Sequence, residues 1–69
     1  MNISIIIPLL NEEESLGELC VWIAKVMEEN NYTYEVFLID DGSKDKSWEV
    51  INSIVSKNKK IKGIKFRRN

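Results

Sequence analysis

The sequence of 69 residues contains no histidine and only one cysteine, Cys20. Without histidine, the chain lacks the commonest zinc ligand and the general base of serine–histidine triads. A single cysteine allows no intrachain disulfide and no cysteine-built metal site. These classes of site are therefore excluded.

Glycine is also scarce, with three residues in the chain. The turn after the first apolar run reads Pro-Leu-Leu-Asn-Glu-Glu-Glu, with no glycine and three carboxylates. A dinucleotide-binding turn needs the spacing Gly-x-Gly-x-x-Gly, and a P-loop needs its own glycines and lysine. We therefore expect no phosphate cradle at this first turn.

The chain has no strong net charge, since 10 basic residues face 11 acidic ones. This balance gives no general attraction to nucleic acid or to an anionic membrane surface, so no nucleic-acid partner is expected. The first apolar run, Ile3 to Leu10, is interrupted by Pro8 and has no basic segment before it. It is too short for a transmembrane helix and unlike a signal peptide. We predict a cytoplasmic setting, with membrane association on the cytoplasmic side only for a full-length protein.

What the chain does contain is a folded composition, 43% hydrophobic and 30% charged. The length permits one small domain, and such a chain buries only about 60% of the surface that its unfolded form exposes. We therefore expect a folded domain of marginal stability.

The hydrophobic pattern of the first half predicts a strand followed by a helix. Residues 3–7 are short, apolar and rich in isoleucine, and Pro8 is expected to end their pairing. Asn11 is expected to cap the helix, with Glu14 completing a capping box. The helix presents one apolar stripe: Leu16, Leu19, Cys20, Ile23 and Met27. The pair Asn30–Asn31 is expected to end it.

The second half repeats the order of strand and helix and adds a third strand. Residues 34–39 predict a buried strand, and residues 40–43 a turn in which Ser43 or Asp45 caps the next helix. That helix has an inward face formed by Trp48, Ile51, Ile54 and Val55, and Asn58-Lys59-Lys60 ends it. Residues 61–66 predict a half-buried strand with outward lysines. The fold class is α/β, a Rossmann-like β-α-β-α-β unit with a three-stranded parallel sheet.

This order of elements places three polar segments together. Strands joined by single helices are parallel, with right-handed crossovers, so their carboxyl ends share one edge of the sheet. Ligands of open α/β sheets bind at that edge. Here the edge carries Pro8 to Glu12, Asp40 to Asp45, and Arg67 to Asn69.

A second consequence concerns the faces of the sheet. If the strand order is 3-2-1, both helices cover the same face. Successive residues of a strand point to opposite faces of the sheet, and residues 5–7 and 36–39 are all apolar. The face without helices would therefore be an exposed apolar patch. Either the natural protein continues past Asn69, which we favour, or the chain self-associates.

The sequence at this edge allows both a structural and a functional interpretation. Asp40 and Asp41 project to opposite sides, so one is expected to fix the turn while the other reaches the open edge and accepts hydrogen bonds from a ribose or a base. Asp-Gly-Ser is also a common turn sequence. Asn11 and Glu12 can likewise either cap the helix or line a ribose pocket.

Three motifs together carry a resemblance to a known family. Ile6 to Leu16, Leu38 to Ser47, and Phe66 to Asn69 resemble the start of family 2 glycosyltransferases of the GT-A fold. They are most similar to the polyprenyl-phosphate branch, which includes dolichyl-phosphate mannosyltransferase. The resemblance spans essentially the whole chain, so residues 1–69 are identified as an incomplete, nucleotide-sugar-binding N-terminal segment of such an enzyme.

The resemblance implies roles for individual residues. The base and ribose pocket of a UDP- or GDP-sugar is lined by Pro8, Leu10, Asn11 and Glu12. Asp41 contacts the base, Asp40 and Ser43 support the turn, and Asp45 begins the next helix. Arg68 and Asn69 match the start of a loop that borders the donor.

The resemblance also implies parts that lie beyond Asn69. Family members hold Mg²⁺ or Mn²⁺ at a later Asp-x-Asp motif, and their acceptor region, which takes polyprenyl phosphate in this branch, comes later still. Without the metal, nothing here neutralises the charge on the departing nucleoside diphosphate. We therefore expect no catalytic residues in this chain and no transferase activity from it alone.

Two alternatives from other classes remain. The first is a non-catalytic α/β binding module that self-associates through its uncovered sheet face as a homo-oligomer. The second is a phosphoacceptor receiver domain, which requires an acidic pair after the first strand and a lone aspartate after the third. The third strand here ends in Arg-Arg-Asn, which argues against a receiver domain.

Overall fold

The computed structural model describes residues 2–66 of the chain. Its elements are β1 Asn2–Leu9, α1 Leu16–Glu29, β2 Thr33–Asp40, α2 Ser47–Lys57 and β3 Ile61–Lys65. All strand pairs are parallel, and the order across the sheet is β1-β2-β3. The predicted α/β class and three-stranded parallel sheet are confirmed.

Both helices cover the same face of the sheet, because α1 and α2 contact each other and both contact β2. Beneath them, Val36 and Leu38 of β2 have no exposed surface, and their neighbours in register on β1 are Ile5 and Ile7. The predicted stripes of both helices face this core: Leu16, Cys20, Ile23 and Ile51 are buried, and Leu19, Met27, Trp48, Ile54 and Val55 pack against them.

The opposite face of the sheet is not covered by either helix, and toward the carboxyl edge it carries mostly apolar side chains. Ile6 lies opposite Phe37, and Ile39 lies between Pro8 and Ile64 in one row across the sheet. The side chains of Ile6 and Ile64 are 64% and 40% exposed. The prediction that an apolar face stays uncovered by the two helices is confirmed.

Pro8 does not end β1, contrary to the prediction. The strand runs to Leu9, and Pro8 lies opposite Ile39. The N–H of Asp41 donates to the carbonyl of Leu9 at 3.0 Å, so Leu9 directs its backbone groups toward β2. Successive residues of a strand alternate in this direction, which points the imide nitrogen of Pro8 toward the open edge, where no donor is needed.

The capping box predicted at Asn11 and Glu14 is wrong, because α1 begins only at Leu16. The preceding residues form a turn of their own, in which the N–H groups of Ser15 and Leu16 both donate to the Glu12 carbonyl at 3.2 Å. The Ser15 hydroxyl also donates to the Glu12 carboxylate at 2.8 Å.

The other predicted boundaries fit more closely. Helix α1 ends before Asn30, as expected, and α2 ends before Asn58. Strand β3 is one residue shorter than predicted, and its lysines do not share one face. Lys62 lies opposite Phe37 on the uncovered face, whereas the Lys65 ammonium lies 5.6 Å from the ring centroid of Trp48 on the helix side.

Helix α2 approaches β3 closely, and Gly63 makes this approach feasible. A Cβ atom at this position would lie 2.5 Å from the Cγ2 atom of Ile51 and 3.4 Å from Trp48 Cζ3. The close packing brings Ile51, which has no exposed surface, directly onto the backbone of β3.

Candidate functional site

Two loops meet at the carboxyl edge of the sheet. The first loop, residues 10–15, follows β1, and the second loop, residues 41–46, follows β2. Because β1 and β2 are hydrogen-bonded neighbours, the loops leave the sheet side by side. This is the edge at which the sequence predicted a ligand site.

Asp40 shapes the start of the second loop. It is the last residue of β2 and has no exposed surface, and its Oδ1 accepts a hydrogen bond from the Ser43 N–H at 2.7 Å. Gly42 completes this turn with a φ of 86°. The geometry fits the expectation that one aspartate of the pair fixes the turn. Asp41 follows as a half-buried residue at the edge itself.

The backbone of the first loop is bound by side chains at and after the second loop. The N–H of Asn11 donates to Ser43 Oγ at 2.9 Å, that of Glu12 to Ser47 Oγ at 2.8 Å, and that of Glu13 to Asp45 Oδ2 at 3.3 Å. Three successive backbone donors thus find acceptors more than 30 positions away along the chain. The first loop takes its shape from the second.

A reciprocal contact comes from Asn11. Its side-chain Oδ1 accepts hydrogen bonds from the N–H groups of Lys44 at 2.8 Å and Asp45 at 3.4 Å. Asn11 holds a φ of 53°, in the left-handed region, which asparagine tolerates better than most residues. The side chain that was predicted to cap α1 therefore binds the backbone of the second loop.

Asp45 supplies the negative charge at the centre of this network. Burial raises the pKa of its carboxyl, but hydrogen bonds from the Ser47 hydroxyl and N–H and from the Glu13 N–H outweigh burial and lower the pKa below its ordinary value. The prediction that Ser43 or Asp45 is the N-cap of α2 is wrong, because the N-cap residue is Lys46. Asp45 precedes it and accepts a hydrogen bond from the N–H of Ser47, the first helical residue, at 2.8 Å. Ser43 binds Asn11 instead.

This carboxylate occupies a position that would otherwise suit an external anion. Consecutive backbone N–H groups form a concavity that binds phosphate or carboxylate in many proteins. Here the three N–H groups of the first loop donate instead to two hydroxyl oxygens and the Asp45 carboxylate.

An open cleft lies beside the first loop, under the start of α1. It measures about 370 Å³ and has apolar walls with a polar rim at Glu12 and Ser15; its lining is Ile7, Pro8, Leu9, Leu10, Glu12, Ser15, Leu16 and Leu19. Ligand sites commonly combine apolar walls with a few polar groups. Three of the predicted site residues, Pro8, Leu10 and Glu12, thus come together in one cleft.

The remaining predicted residues fall into two groups. Asn11, Asp40 and Ser43 belong to the hydrogen-bonded network that holds the loops, and Asp41 follows Asp40 at the edge. Arg68 and Asn69 lie outside the described residues. The sequence did not single out Ser47, a fully buried serine at the first position of α2. A polar residue at an inward position of an apolar helix was the signal that could have found it.

Within residues 2–66, no group of three or more acidic or cysteine side chains is arranged to hold a metal ion. The acidic run of residues 12–14 therefore does not form a metal centre with its described neighbours. None of the helices between residues 2 and 66 has the length and apolar character needed to span a membrane.

Comparison with known proteins gives this edge a family context. The model of the family described as glycosyl transferase family 2 matches residues 4–69. The chain belongs to glycosyl transferase family 2. The resemblance of its three motifs to that family is confirmed, and the match includes both loops, β2, β3 and β1 from its third residue onward.

Several relatives of this family 2 chain carry names that indicate an activity. An undecaprenyl-phosphate 4-deoxy-4-formamido-L-arabinose transferase of Aeromonas hydrophila is 38% identical over 68 residues, which is 97% of the chain and 21% of that protein. A prophage bactoprenol glucosyl transferase homolog of Escherichia coli is 32% identical over the whole chain and 22% of its own length. An uncharacterized glycosyltransferase of Synechocystis is 35% identical over the whole chain, which is 22% of that protein. The chain thus spans about one fifth of the length of these relatives.

Proposed function

We propose that the chain forms the nucleoside-binding part of a glycosyltransferase that uses a UDP-sugar or GDP-sugar as donor. The observation that carries this proposal is the joining of two loops at the carboxyl edge of a parallel sheet in a family 2 chain. Ligands bind at this edge in open α/β sheets. The apolar cleft beside the first loop offers a surface for the base and ribose.

The proposed roles follow the two groups of side chains. Pro8 and Leu10 contact the base or ribose through apolar surface, and Glu12 accepts a hydrogen bond from a ribose hydroxyl at the rim of the cleft. The Asp41 carboxylate accepts a hydrogen bond from a base N–H. Asp40, Asn11 and Ser43 hold the loops, and Arg68 borders the donor.

The whole protein's reaction is a further part of the proposal. In it, an acceptor oxygen replaces the nucleoside diphosphate at the anomeric carbon of the sugar, and the names of two relatives favour a polyprenyl phosphate as acceptor. We place this reaction at the cytoplasmic side of a membrane. Mg²⁺ or Mn²⁺ would neutralise the leaving diphosphate. Residues 2–66 contain no group of three or more acidic or cysteine side chains arranged to hold such an ion.

A titration with UDP and with GDP, followed by ¹H–¹⁵N spectra of the chain, tests the donor site. We expect millimolar-range binding, with shifts concentrated at Leu10, Glu12 and Asp41. Asp41→Asn is expected to weaken binding about tenfold, because a hydrogen bond to a charged group contributes about 1.5–3 kcal/mol. Glu35→Gln, which removes a charge from the opposite end of the same strand region, is the matched control and should bind like the parent chain. The 69-residue chain alone is expected to transfer no sugar.

A second candidate function rests on the uncovered sheet face. Ile6 and Ile64 are exposed on that face, and a contiguous apolar patch often marks an association site. On this alternative the chain is a non-catalytic module that forms a homo-oligomer. The absence of shifts with UDP or GDP at any attainable concentration, together with a tight oligomer in sedimentation, would favour the alternative and contradict donor binding.

A further inference from the structure

The first loop of the site has an unusual dependence on a residue that the donor is not proposed to touch. The N–H of Glu12 donates to the hydroxyl oxygen of Ser47 at 2.8 Å. Ser47 has no exposed surface, and it begins the helix that packs onto Gly63 of β3. The acceptor is therefore buried in the core, whereas Glu12 is an exposed residue of the cleft rim.

We infer that Ser47 and Asp45 are positioning residues of the nucleotide site, which hold the backbone of Glu12 and Glu13 so that the first loop presents its side chains to the donor. This inference rests on the proposed function. Neither residue lines the cleft beside Pro8 and Leu10, so neither is assigned a contact with the donor.

The two residues act as one unit. Asp45 binds the Glu13 N–H through Oδ2 and the Ser47 N–H through Oδ1, so one carboxylate joins the first loop to the start of α2. The backbone N–H of Ser47 is thus held by Asp45, while the hydroxyl oxygen of Ser47 accepts a hydrogen bond from the Glu12 N–H. Each hydrogen bond fixes the orientation that the next one needs.

The consequence is that loop position and core packing are linked. Without the Ser47 hydroxyl, the partly buried N–H of Glu12 loses its acceptor, and an unsatisfied donor of this kind is costly enough to drive a backbone segment toward water. The residues between Pro8 and Glu12 would then leave the shape that forms the cleft. Donor affinity should fall although no donor contact has been removed.

Ser47→Ala tests this inference, with Ser53→Ala as its matched control, because Ser53 is an exposed serine on the same helix. Amide hydrogen exchange of Glu12 and of Leu38 is measured in both variants, together with titrations by UDP and GDP. We expect exchange at Glu12 to be at least about tenfold faster in Ser47→Ala, with Leu38 unchanged, and nucleotide binding about tenfold weaker. The control should match the parent chain in all three measurements.

The exchange pattern separates positioning from a general loss of stability. A merely structural role would accelerate exchange at Leu38 and Glu12 together, because both would then open through global unfolding. Asp45→Asn provides a second variant in case Ser47→Ala does not fold. It keeps one oxygen for the Ser47 N–H, and we expect faster exchange at Glu13 with a smaller loss of nucleotide binding.

Each result either supports or overturns the positioning roles of Ser47 and Asp45. Unchanged exchange at Glu12 in Ser47→Ala and at Glu13 in Asp45→Asn overturns the inference, and so does uniform acceleration in both variants. Faster local exchange with control-like nucleotide affinity also overturns it, since the loop would then be held without effect on the donor. If the parent chain binds neither nucleotide, the proposed function fails, and the positioning of a donor fails with it. The exchange data would still establish whether the two residues hold the loop.

Discussion

Both faces of the sheet carry large apolar side chains, but these side chains contribute differently to the fold. On one face, Val36 and Leu38 lie beneath two helices and have no exposed surface. On the other, Ile6 and Ile64 remain 64% and 40% exposed. The hydrophobic free energy of folding scales with apolar area removed from water, so it is concentrated on the helix side. Hydrophobic composition alone therefore says little about which residues stabilise this chain.

The sharpest test of this difference uses one substitution on each face. Ile51→Ala removes side-chain atoms from a site with no exposed surface, and we expect a loss of about 2–5 kcal/mol in the free energy of unfolding. Ile6→Ala should cost at most about 1 kcal/mol, because most of that side chain is already in water. Urea denaturation followed by tryptophan fluorescence measures both.

The total stability of such a domain is small, at the low end of the usual range of about 5–15 kcal/mol, so Ile51→Ala should leave much of the chain unfolded at room temperature. The measurement should be repeated at several protein concentrations. A cost for Ile6→Ala close to that of Ile51→Ala would show that the second face is also covered in solution, and the contrast between the faces would be lost.

A smaller loss in the free energy of unfolding is expected when the glycine beneath α2 is replaced by alanine. Gly63→Ala places a Cβ atom 2.5 Å from Ile51 Cγ2, which forces α2 or the side chain to shift. Overpacking of this kind costs about 1–3 kcal/mol. Gly17→Ala in α1 is the matched control, because nothing lies within 4 Å of its added Cβ atom. In a helix, replacing glycine by alanine should stabilise by about 0.5–1 kcal/mol.

Thermal denaturation followed by circular dichroism compares these two variants. Opposite signs of the two changes would confirm that helix packing on the sheet is tight at Gly63 and open at Gly17. If Gly63→Ala were as stable as the parent chain, α2 would not press on β3 as the geometry indicates.

The elements of the fold were predictable because their periodicity is local. The stripe of α1 and the inward face of α2 follow the helical period, and both face the core. The uncovered face also followed from the order of elements together with the rule for crossovers. By contrast, the place where α1 begins was missed because the residues before Leu16 form a separate turn around Glu12.

From the sequence, we could predict which segments form the site but not which side chains contact each other. The strand order brings the first and second loops to one edge of the sheet, and most residues of these loops belong to the sequence motifs. Which side chains hold the loops and which line the cleft depends on pairs such as Glu12 with Ser47, 35 positions apart. No local pattern in a single sequence specifies such a pair. Pro8 was misjudged for a related reason, since the direction of its nitrogen depends on which side β2 occupies.

The last prediction compares the two faces of the sheet by the rate at which a cysteine thiol on each of them is alkylated. Cys20 lies on the inward stripe of α1 and is 5% exposed. Burial raises the pKa of its thiol, and the reactive thiolate is therefore scarce as well as shielded. We expect iodoacetamide to alkylate Cys20 slowly in the native chain. In Ile6→Cys combined with Cys20→Ala, the new thiol on the uncovered face should react at nearly the rate of an unfolded chain, as measured by mass spectrometry.

The same pKa shift gives a sign for the dependence of stability on pH. The pKa of the Cys20 thiol is higher in the folded chain than in the unfolded one, so the unfolded chain ionises first as pH rises. The contribution to stability is complete below the unfolded pKa and is lost as pH rises through the folded pKa, and Cys20→Ala should abolish this loss. For the alkylation experiment, chains unfolded in urea serve as the control, in which Cys20 and the thiol of Ile6→Cys should react at the same rate. Slow alkylation of Ile6→Cys in the native chain would mean that the uncovered sheet face is closed, most simply by a second copy. Fast alkylation would mean that this face is open to solvent.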